Sequence, residues 1–283
     1  MTRAERGAVV VTGASTGIGA AAAELFAREG FVTFAGVRND ADAARVAKLH
    51  PNIRPVLLDV TDRAAIDAAA EKVAARGLPL RGVVNNAGIA VAGPLELLPI
   101  DELRRQFEVN VFGALAVSQA FLPQLRASKG RLIFVGSISG RFAVPFIAPY
   151  SASKFALRAF VDALRVELKP AGVAVALLEP GSVQTPIWEK GRAARDRMVA
   201  LLGPRAIPDY GPQIDVVFGQ TPKREAARAM PVEHVSKALL RALVAPHPRT
   251  HYLVGAGART GSILALLPSP LRDRILRASM QLP

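Results

Sequence analysis

Residues 150–154 read YSASK and open YSASKFALRAFVDALRVEL, a stretch whose apolar spacing predicts a helix over 150–168. Tyr150 and Lys154 lie one helical turn apart and share a face. That pair can move protons. A free phenol titrates near 10, too high to act as a base at neutral pH, and a neighbouring ammonium favours the phenolate. The same spacing equally describes a solvated helix surface, so the motif alone decides nothing. Two more polar residues stand upstream: Ser137 in GSISG (136–140), thirteen positions before Tyr150, and Asn110 in FEVNVFG. Read singly, Ser137 could cap a strand and Asn110 could be a polar break in a helix.

A second motif, TGASTGIG (12–19), follows the apolar run AVVVT (8–12) and leads into GIGAAAAELFAREG (17–30). Gly13 permits a tight turn, Gly17 lets backbone approach a pyrophosphate, and Gly19 lets a helix lie close to a sheet. Ser15, Thr16 and Ile18 fill the turn, and the helix N-terminus offers unpaired N–H groups to phosphate oxygens. Such turns also occur for steric reasons alone, but the setting between a first strand and a first helix favours a nucleotide. The second strand ends at Val37, where NAD-selective sheets usually carry an acidic residue. Arg38 follows. A missing carboxylate beside a guanidinium suits a 2′-phosphate, so NADP(H) is favoured and NAD(H) is the alternative; the bland reading is a solvated loop arginine. Asp59, followed by Val60, ends the third strand and could accept from an adenine amine; alternatively Thr61 and Asp62 cap the next helix.

These residues need elements to position them. Strands are predicted at 8–12, 31–37, 53–58, 82–86, 131–137 and 173–180, separated by helices at 17–30, 40–49, 61–77, 100–125 and 150–168. Fully apolar strands alternating with helices form a parallel sheet covered on both faces. The expected fold is α/β, a single-domain doubly wound, Rossmann-like sheet whose sites lie at the carboxyl ends of its strands. Residues 8–186 would form the cofactor-binding and catalytic core. A less regular substrate loop would occupy 187–230, and 231–283 would hold a helix at 232–244, a strand at 251–255 and a tail.

The fourth, fifth and sixth strands end in NNAG (85–88), GSISG and EPGSVQTP (179–186). Together with TGASTGIG, Asn110, Ser137 and YSASK, this ordered set resembles the short-chain dehydrogenase/reductase family in its compact branch, over residues 8 to about 186. VNNAGI, GPLELL, SGRFAVP and SASKFALRAF are most similar to its retinol- and hydroxysteroid-dehydrogenase-like members. The resemblance implies hydride exchange at a nicotinamide, with Tyr150 as general acid/base and Lys154 lowering its pKa and holding the nicotinamide ribose. Ser137 would bind the substrate oxygen and Asn110 would fix a water linking Lys154 to solvent. Asn86, Ala87 and Gly88 would line the cofactor cleft. Pro180, Gly181, Val183 and Thr185 would wall the nicotinamide side, with Thr185 reaching the carboxamide. The family's usual assembly implies a homodimer or homotetramer through helices 100–125 and 150–168.

Apolar stretches at 89–99, 138–149 and 187–220 would surround a small hydrophobic alcohol or ketone. Ser139, Phe142, Phe146, Ile147, Trp188, Met198 and Leu202 are its candidate lining, although packing beneath the loop is the commoner role for such side chains. The chain has 283 residues, no cysteine and four scattered histidines, which excludes disulfides and argues against a metal site. No signal segment or membrane span is read, and a cytoplasmic protein is expected. Of the net charge of +13, 15 − 7 = +8 arises from Ile187 onward. The basic residues are dispersed without interleaved aromatics, so nucleic acid is not the expected partner. The tail SILALLPSPLRDRILRASM could lie on a membrane surface, act as a lid, join subunits or pack on its own domain. A cofactor-binding regulator without turnover is the competing class; such proteins typically lack the tyrosine or lysine, and both are present.

Overall fold

The computed structural model describes residues 6–187, 192–217 and 229–280. The chain runs β1 (Ala8–Val11), α1 (Gly17–Arg28), β2 (Val32–Val37), α2 (Asp40–Ala47), β3 (Ile53–Leu57), α3 (Arg63–Ala74) and β4 (Leu80–Asn85). It continues with α4 (Ile100–Phe107), α5 (Ala114–Ser128), β5 (Arg131–Val135), α6 (Ala148–Glu167) and β6 (Ala174–Pro180). After these come α7 (Arg192–Leu202), α8 (Ala206–Asp215), α9 (Val232–Val244), β7 (His251–Val254), α10 (Ala256–Leu264) and α11 (Ser269–Met280).

The seven strands form one parallel sheet in the order β3-β2-β1-β4-β5-β6-β7. β1 reads AVVV and is wholly buried, as a central strand covered on both faces must be. On one face Val117 and Phe121 of α5 and Leu157 and Val161 of α6 pack with Val10, Val83 and Phe134. On the other, Ala23 and Phe26 of α1 and Val235 and Leu239 of α9 pack with Val9, Val84 and Ile133. Each fully buried valine or phenylalanine contributes roughly 1.5–3 kcal/mol of apolar transfer. Short polar side chains start the helices: Asn39 Oδ1 accepts from Asp42 N at 2.8 Å, and Asp62 Oδ1 accepts from Ala64 N at 2.9 Å. The order reverses between β1 and β4, where α/β sheets open a ligand crevice.

Two expectations need correction. The single helix over 100–125 is interrupted by a π turn, Glu108–Gly113, between α4 and α5. The wider turn brings Gly113 against the end of β3, so closely that a Cβ there would lie 2.7 Å from the Val60 carbonyl oxygen. The stretch expected to be irregular after β6 contains α7 and α8, which turn at Gly203 (φ +81°). Leu202, Ala206 and Ile214 give these helices a small core of their own, packed with Leu97, Leu98, Met198, Val199 and Tyr210. Glu96 fastens that unit, accepting from Arg205 Nη2 and from the Tyr210 hydroxyl, each at 2.7 Å.

Candidate active site

The glycine turn leaves β1 with Gly13 and Gly17 at φ +61° and +56°, in the left-handed region open to glycine. A Cβ on Gly19 would lie 2.3 Å from the Gly13 carbonyl oxygen and 2.5 Å from Asn86 Nδ2. Only hydrogen fits. Thr16 stands at the N-cap of α1 without a side-chain bond to the helix, so the orphan amides of the first turn stay open to an anion. Ser15, Thr16 and Ile18 are accessible around this turn. The cradle is fixed from β4: Thr12 Oγ1 accepts from Asn86 N and Ala87 N at 3.0 Å each, and Asn86 Nδ2 donates to Thr12 O at 3.0 Å. A glycine turn with positive φ, closed by a neighbouring strand and open at a helix N-terminus, fits a dinucleotide's phosphates.

Around the cradle, Arg38 is exposed at the end of β2. Arg45 of α2 donates to the Ser15 carbonyl at 2.6 Å and pairs with Asp42. Asp59 Oδ1 accepts from Thr61 N at 2.9 Å and Thr61 Oγ1 at 2.7 Å, whereas Asp62 caps α3. Val60 is buried against Gly113. Beyond β6, Gly181 approaches α10, where a Cβ would lie 2.9 Å from Ala258 N. Val183 bridges to Met230, and Thr185 Cγ2 stands 3.3 Å from where a Cβ on Gly17 would sit. Pro180, Gly181, Val183 and Thr185 thus run from the sheet edge back over the glycine turn.

Tyr150, Lys154 and Ser137 meet at the carboxyl ends of β5 and β6. Ser137 caps the short 3-10 turn Ile138–Gly140, its Oγ accepting from Ser139 N at 3.1 Å, and it hydrogen-bonds the Tyr150 side chain. Tyr150 is 9% exposed. Burial pushes its phenol above the ordinary value, and the Ser137 bond opposes that rise. Lys154 Nζ donates to Val135 O at 2.8 Å and stands over the Tyr150 ring, 5.5 Å from its centroid. Burial pushes its ammonium down to about 8.

Asn110 lies in the π turn and is buried. Its Oδ1 accepts from Ile89 N at 2.9 Å, and its Nδ2 donates to Ile89 O at 3.0 Å and Ser153 Oγ at 3.1 Å. Both amide hydrogens therefore have protein acceptors. Ser153 in turn donates to the Tyr150 carbonyl at 2.7 Å. Gln106, one turn before Asn110, donates to Ile89 O at 2.9 Å and accepts from Val91 N at 2.7 Å. Together Gln106 and Asn110 clamp the segment after Gly88, where a Cβ would stand 3.3 Å from Asn110 Oδ1.

The apolar surroundings divide. Phe142 and Ile138 pack under α10, where a Cβ on Gly261 would meet them at 2.9 and 2.5 Å. Phe146, at φ +64°, meets the Tyr210 ring edge-on at 6.2 Å between centroids. Ile147 is half-buried at the N-cap of α6, and Ser139 is buried. Met198 and Leu202 serve the small core of α7 and α8, lying 3.2 and 3.3 Å from the position of a Gly93 Cβ. Trp188 lies outside the described residues. The sequence reading did not single out Thr12, Arg45, Gln106 or Ser153. For Thr12 and Ser153 a signal existed, since each is a hydroxyl inside a motif otherwise explained by its neighbours.

Residues 7–196 match the short chain dehydrogenase family. An NADPH-dependent 3-dehydrocapnine reductase of Ornithobacterium rhinotracheale is 37% identical over 280 residues, covering 94% of each chain. A 3-amino-tetrahydro-pyrrolizinone reductase of Xenorhabdus hominickii is 38% identical, covering 91% of this chain and 90% of its own. Among solved structures, a short chain dehydrogenase from Burkholderia cenocepacia in complex with NADP superposes with a TM-score of 0.74 at 28% identity, covering 96% of this chain and 98% of that one. With its parallel sheet, glycine cradle and serine–tyrosine–lysine cluster, this chain belongs to the short-chain dehydrogenase/reductase family of NAD(P)-dependent oxidoreductases, acting on alcohols and ketones.

Proposed function

We propose that the protein is an NADP(H)-preferring oxidoreductase that interconverts a hydrophobic secondary alcohol and ketone, steroid-, retinoid- or lipid-like, with Tyr150 as general acid/base. The observation that carries this reading is the Ser137–Tyr150 hydrogen bond beside a buried Lys154, at the sheet edge that also holds the glycine cradle. In the reducing direction the phenol, held above its ordinary pKa by burial, stays protonated at neutral pH and gives its proton to the substrate oxygen. Ser137, oriented by Ser139 N, donates its own hydrogen to that oxygen. A protonated Lys154 stabilises the phenolate left behind and holds the cofactor ribose. When bound, NADP(H) supplies or accepts the hydride at the substrate carbon. Asn110 and Ser153 brace the backbone of α6 so that Tyr150 keeps its place.

Arg38 supports the cofactor preference: it follows Val37 in place of a carboxylate, is exposed, and has no side-chain partner among the described residues. An NADPH-dependent relative and an NADP-bound structural neighbour point the same way. Phe146, Ile147, Leu97 and Leu98 give the mouth of the site its apolar character. Exposed Phe112 before α5, and Phe155 and Val166 on α6, support a homodimer or homotetramer through those helices. A chain without cysteine suits the cytoplasm, and no described helix is long and apolar enough to cross a membrane.

The test is a panel of steroids, retinoids, aliphatic ketones and acyl compounds, followed through nicotinamide absorbance with wild type and Tyr150→Phe. The reading expects carbonyl-dependent NADPH oxidation by wild type, with a loss of 10²-fold or more in Tyr150→Phe and unchanged cofactor binding. Full turnover by Tyr150→Phe would overturn the mechanism, and tighter binding of NADH than NADPH would overturn the preference.

A further inference from the structure

Behind the catalytic pair lies a second charged cluster that proton transfer does not use. Glu179 precedes Pro180 at the end of β6, and its side chain is 1% exposed. Arg141 grips it twice, Nε to Oε1 at 2.7 Å and Nη2 to Oε2 at 2.6 Å. From β7, His251 Nδ1 lies 3.0 Å from Glu179 Oε2, and Nε2 lies 3.3 Å from Asp162 Oδ1. From α6, Arg158 Nη1 stands 3.7 Å from Glu179 Oε1, and its Nε stands 4.0 Å from Asp162 Oδ2. Tyr150, Lys154, Arg158 and Asp162 recur every four residues along α6, so one helix stripe carries both clusters.

The chain positions of these contacts are what matter. Arg141 comes four residues after Ser137, at the end of the 3-10 turn that Ser137 caps. Glu179 comes directly before Pro180 and Gly181, the proposed wall of the nicotinamide side. The bidentate pair therefore ties the segment holding the proton-transfer serine to the segment walling the cofactor. A fork-on-carboxylate contact fixes angle as well as distance. His251 adds a second tie, since a ring with a carboxylate oxygen at each nitrogen makes both hydrogen bonds only when both nitrogens carry hydrogen.

We infer that Glu179 is a positioning residue which, through Arg141 and His251, holds the Ser137 segment in register with the Pro180–Gly181 segment. This rests on the function proposed above. The charged groups facing Glu179 are Arg141, Arg158 and His251, and those facing His251 are Glu179 and Asp162. Burial pushes the Glu179 carboxyl up, but the His251 and Arg141 hydrogen bonds outweigh it and leave the group below the ordinary carboxylate value. The Glu179 hydrogen bond likewise holds His251 above its ordinary value. Facing Tyr150 are Ser137 and the Lys154 ammonium over its ring; if the tie breaks, Ser137 drifts from the phenol, the hydrogen bond that opposes burial is lost, and the Tyr150 pKa rises further.

The experiment compares wild type, Glu179→Gln, Arg141→Met, Arg141→Lys and Tyr150→Phe as full chains. It measures NADPH-dependent ketone reduction across pH, NADPH affinity by fluorescence titration, and melting. The expected result for Glu179→Gln and Arg141→Met is a ten- to hundredfold fall in kcat, the cost of about 1 Å of misplacement. KM and NADPH affinity should stay within threefold, and the alkaline limb of the rate should move to higher pH. Arg141→Lys, keeping the charge and one bond, should recover part of the kcat. A folded Glu179→Gln with wild-type kcat and an unmoved alkaline limb overturns the inference. Should Glu179→Gln fail to fold, His251→Asn at the more accessible edge of the cluster is judged by the same two readouts. A wild type that reduces no ketone refutes the proposed function and the positioning with it, whereas an active wild type, a dead Tyr150→Phe and an unaffected Glu179→Gln refute the positioning alone.

Discussion

Lys154→Met should make the cofactor-free protein more stable while ending its turnover. The lysine is 5% exposed, and burial lowers its pKa from 10.5 to about 8. At about 1.36 kcal/mol per unit, that shift of 10.5 − 8 means the fold bears about 3 kcal/mol for keeping the ammonium charged. The sign follows from proton counting. Below pH 8 both folded and unfolded chains are protonated and the full cost is present. Between about 8 and 10.5 the unfolded chain binds more protons, so wild-type stability rises with pH through that window. Methionine carries no such cost, but it forfeits the bond to Val135 O, worth about 1.5–3 kcal/mol for a charged donor. The net expectation at pH 7 is a gain of about 1 kcal/mol. Denaturant unfolding of both proteins at pH 7 and pH 9.5 isolates the lysine, because every other titrating group is shared. Wild type should gain about 2 kcal/mol on the variant between those two values. Parallel stabilities across that range would refute the claim that this lysine is stored at a cost.

Arg38→Ala should weaken NADPH binding about 10–100-fold, the worth of a charge-assisted phosphate contact, and leave NADH within threefold; equal losses for both cofactors in titration would remove the 2′-phosphate assignment. Gly19→Ala forces a Cβ to within 2.3 Å of the Gly13 carbonyl oxygen, so it should lower the melting temperature by several degrees and abolish dinucleotide binding; a variant that melts and binds like wild type would show the cradle to be loose. Burial holds Tyr150 above its ordinary pKa and lowers Lys154 to about 8, so ketone reduction should run flat through neutral pH and fall at alkaline pH as first the lysine and then the phenol lose their protons. A reduction limb near pH 6 would assign the acid to another group.

The sheet and its site edge were readable because they depend on local patterns. Apolar runs such as AVVV report burial on two faces, and glycines at 13, 17 and 19 report a turn whose backbone needs them. Features created by chains meeting were not readable. The π turn at Glu108–Gly113 adds one residue to a helical turn without breaking the apolar face, so periodicity passes over it. Helices α7 and α8 are hidden by Gly203, Gly211 and Pro212, residues that ordinarily end helices. The spacing puts Lys154 one turn from Tyr150, but the carbonyl of Val135 on another element decides where the ammonium points. Glu179 finds Arg141 at a separation of 38 and His251 at 72, and nothing in either neighbourhood announces the partner.

The bonds from Asn86 and Ala87 to Thr12 span 74 and 75 residues of chain. During synthesis, therefore, the glycines emerge long before the strand that closes them, and β2, α2, β3 and α3 must be made while the cradle is still unfinished. Contacts this distant form late, after the entropy of a long loop has been met. A dinucleotide that binds only the closed cradle then draws the chain toward docking of β4 by mass action. The cofactor in this reading is also a folding ligand, because each bound molecule favours the chain whose central strands have closed.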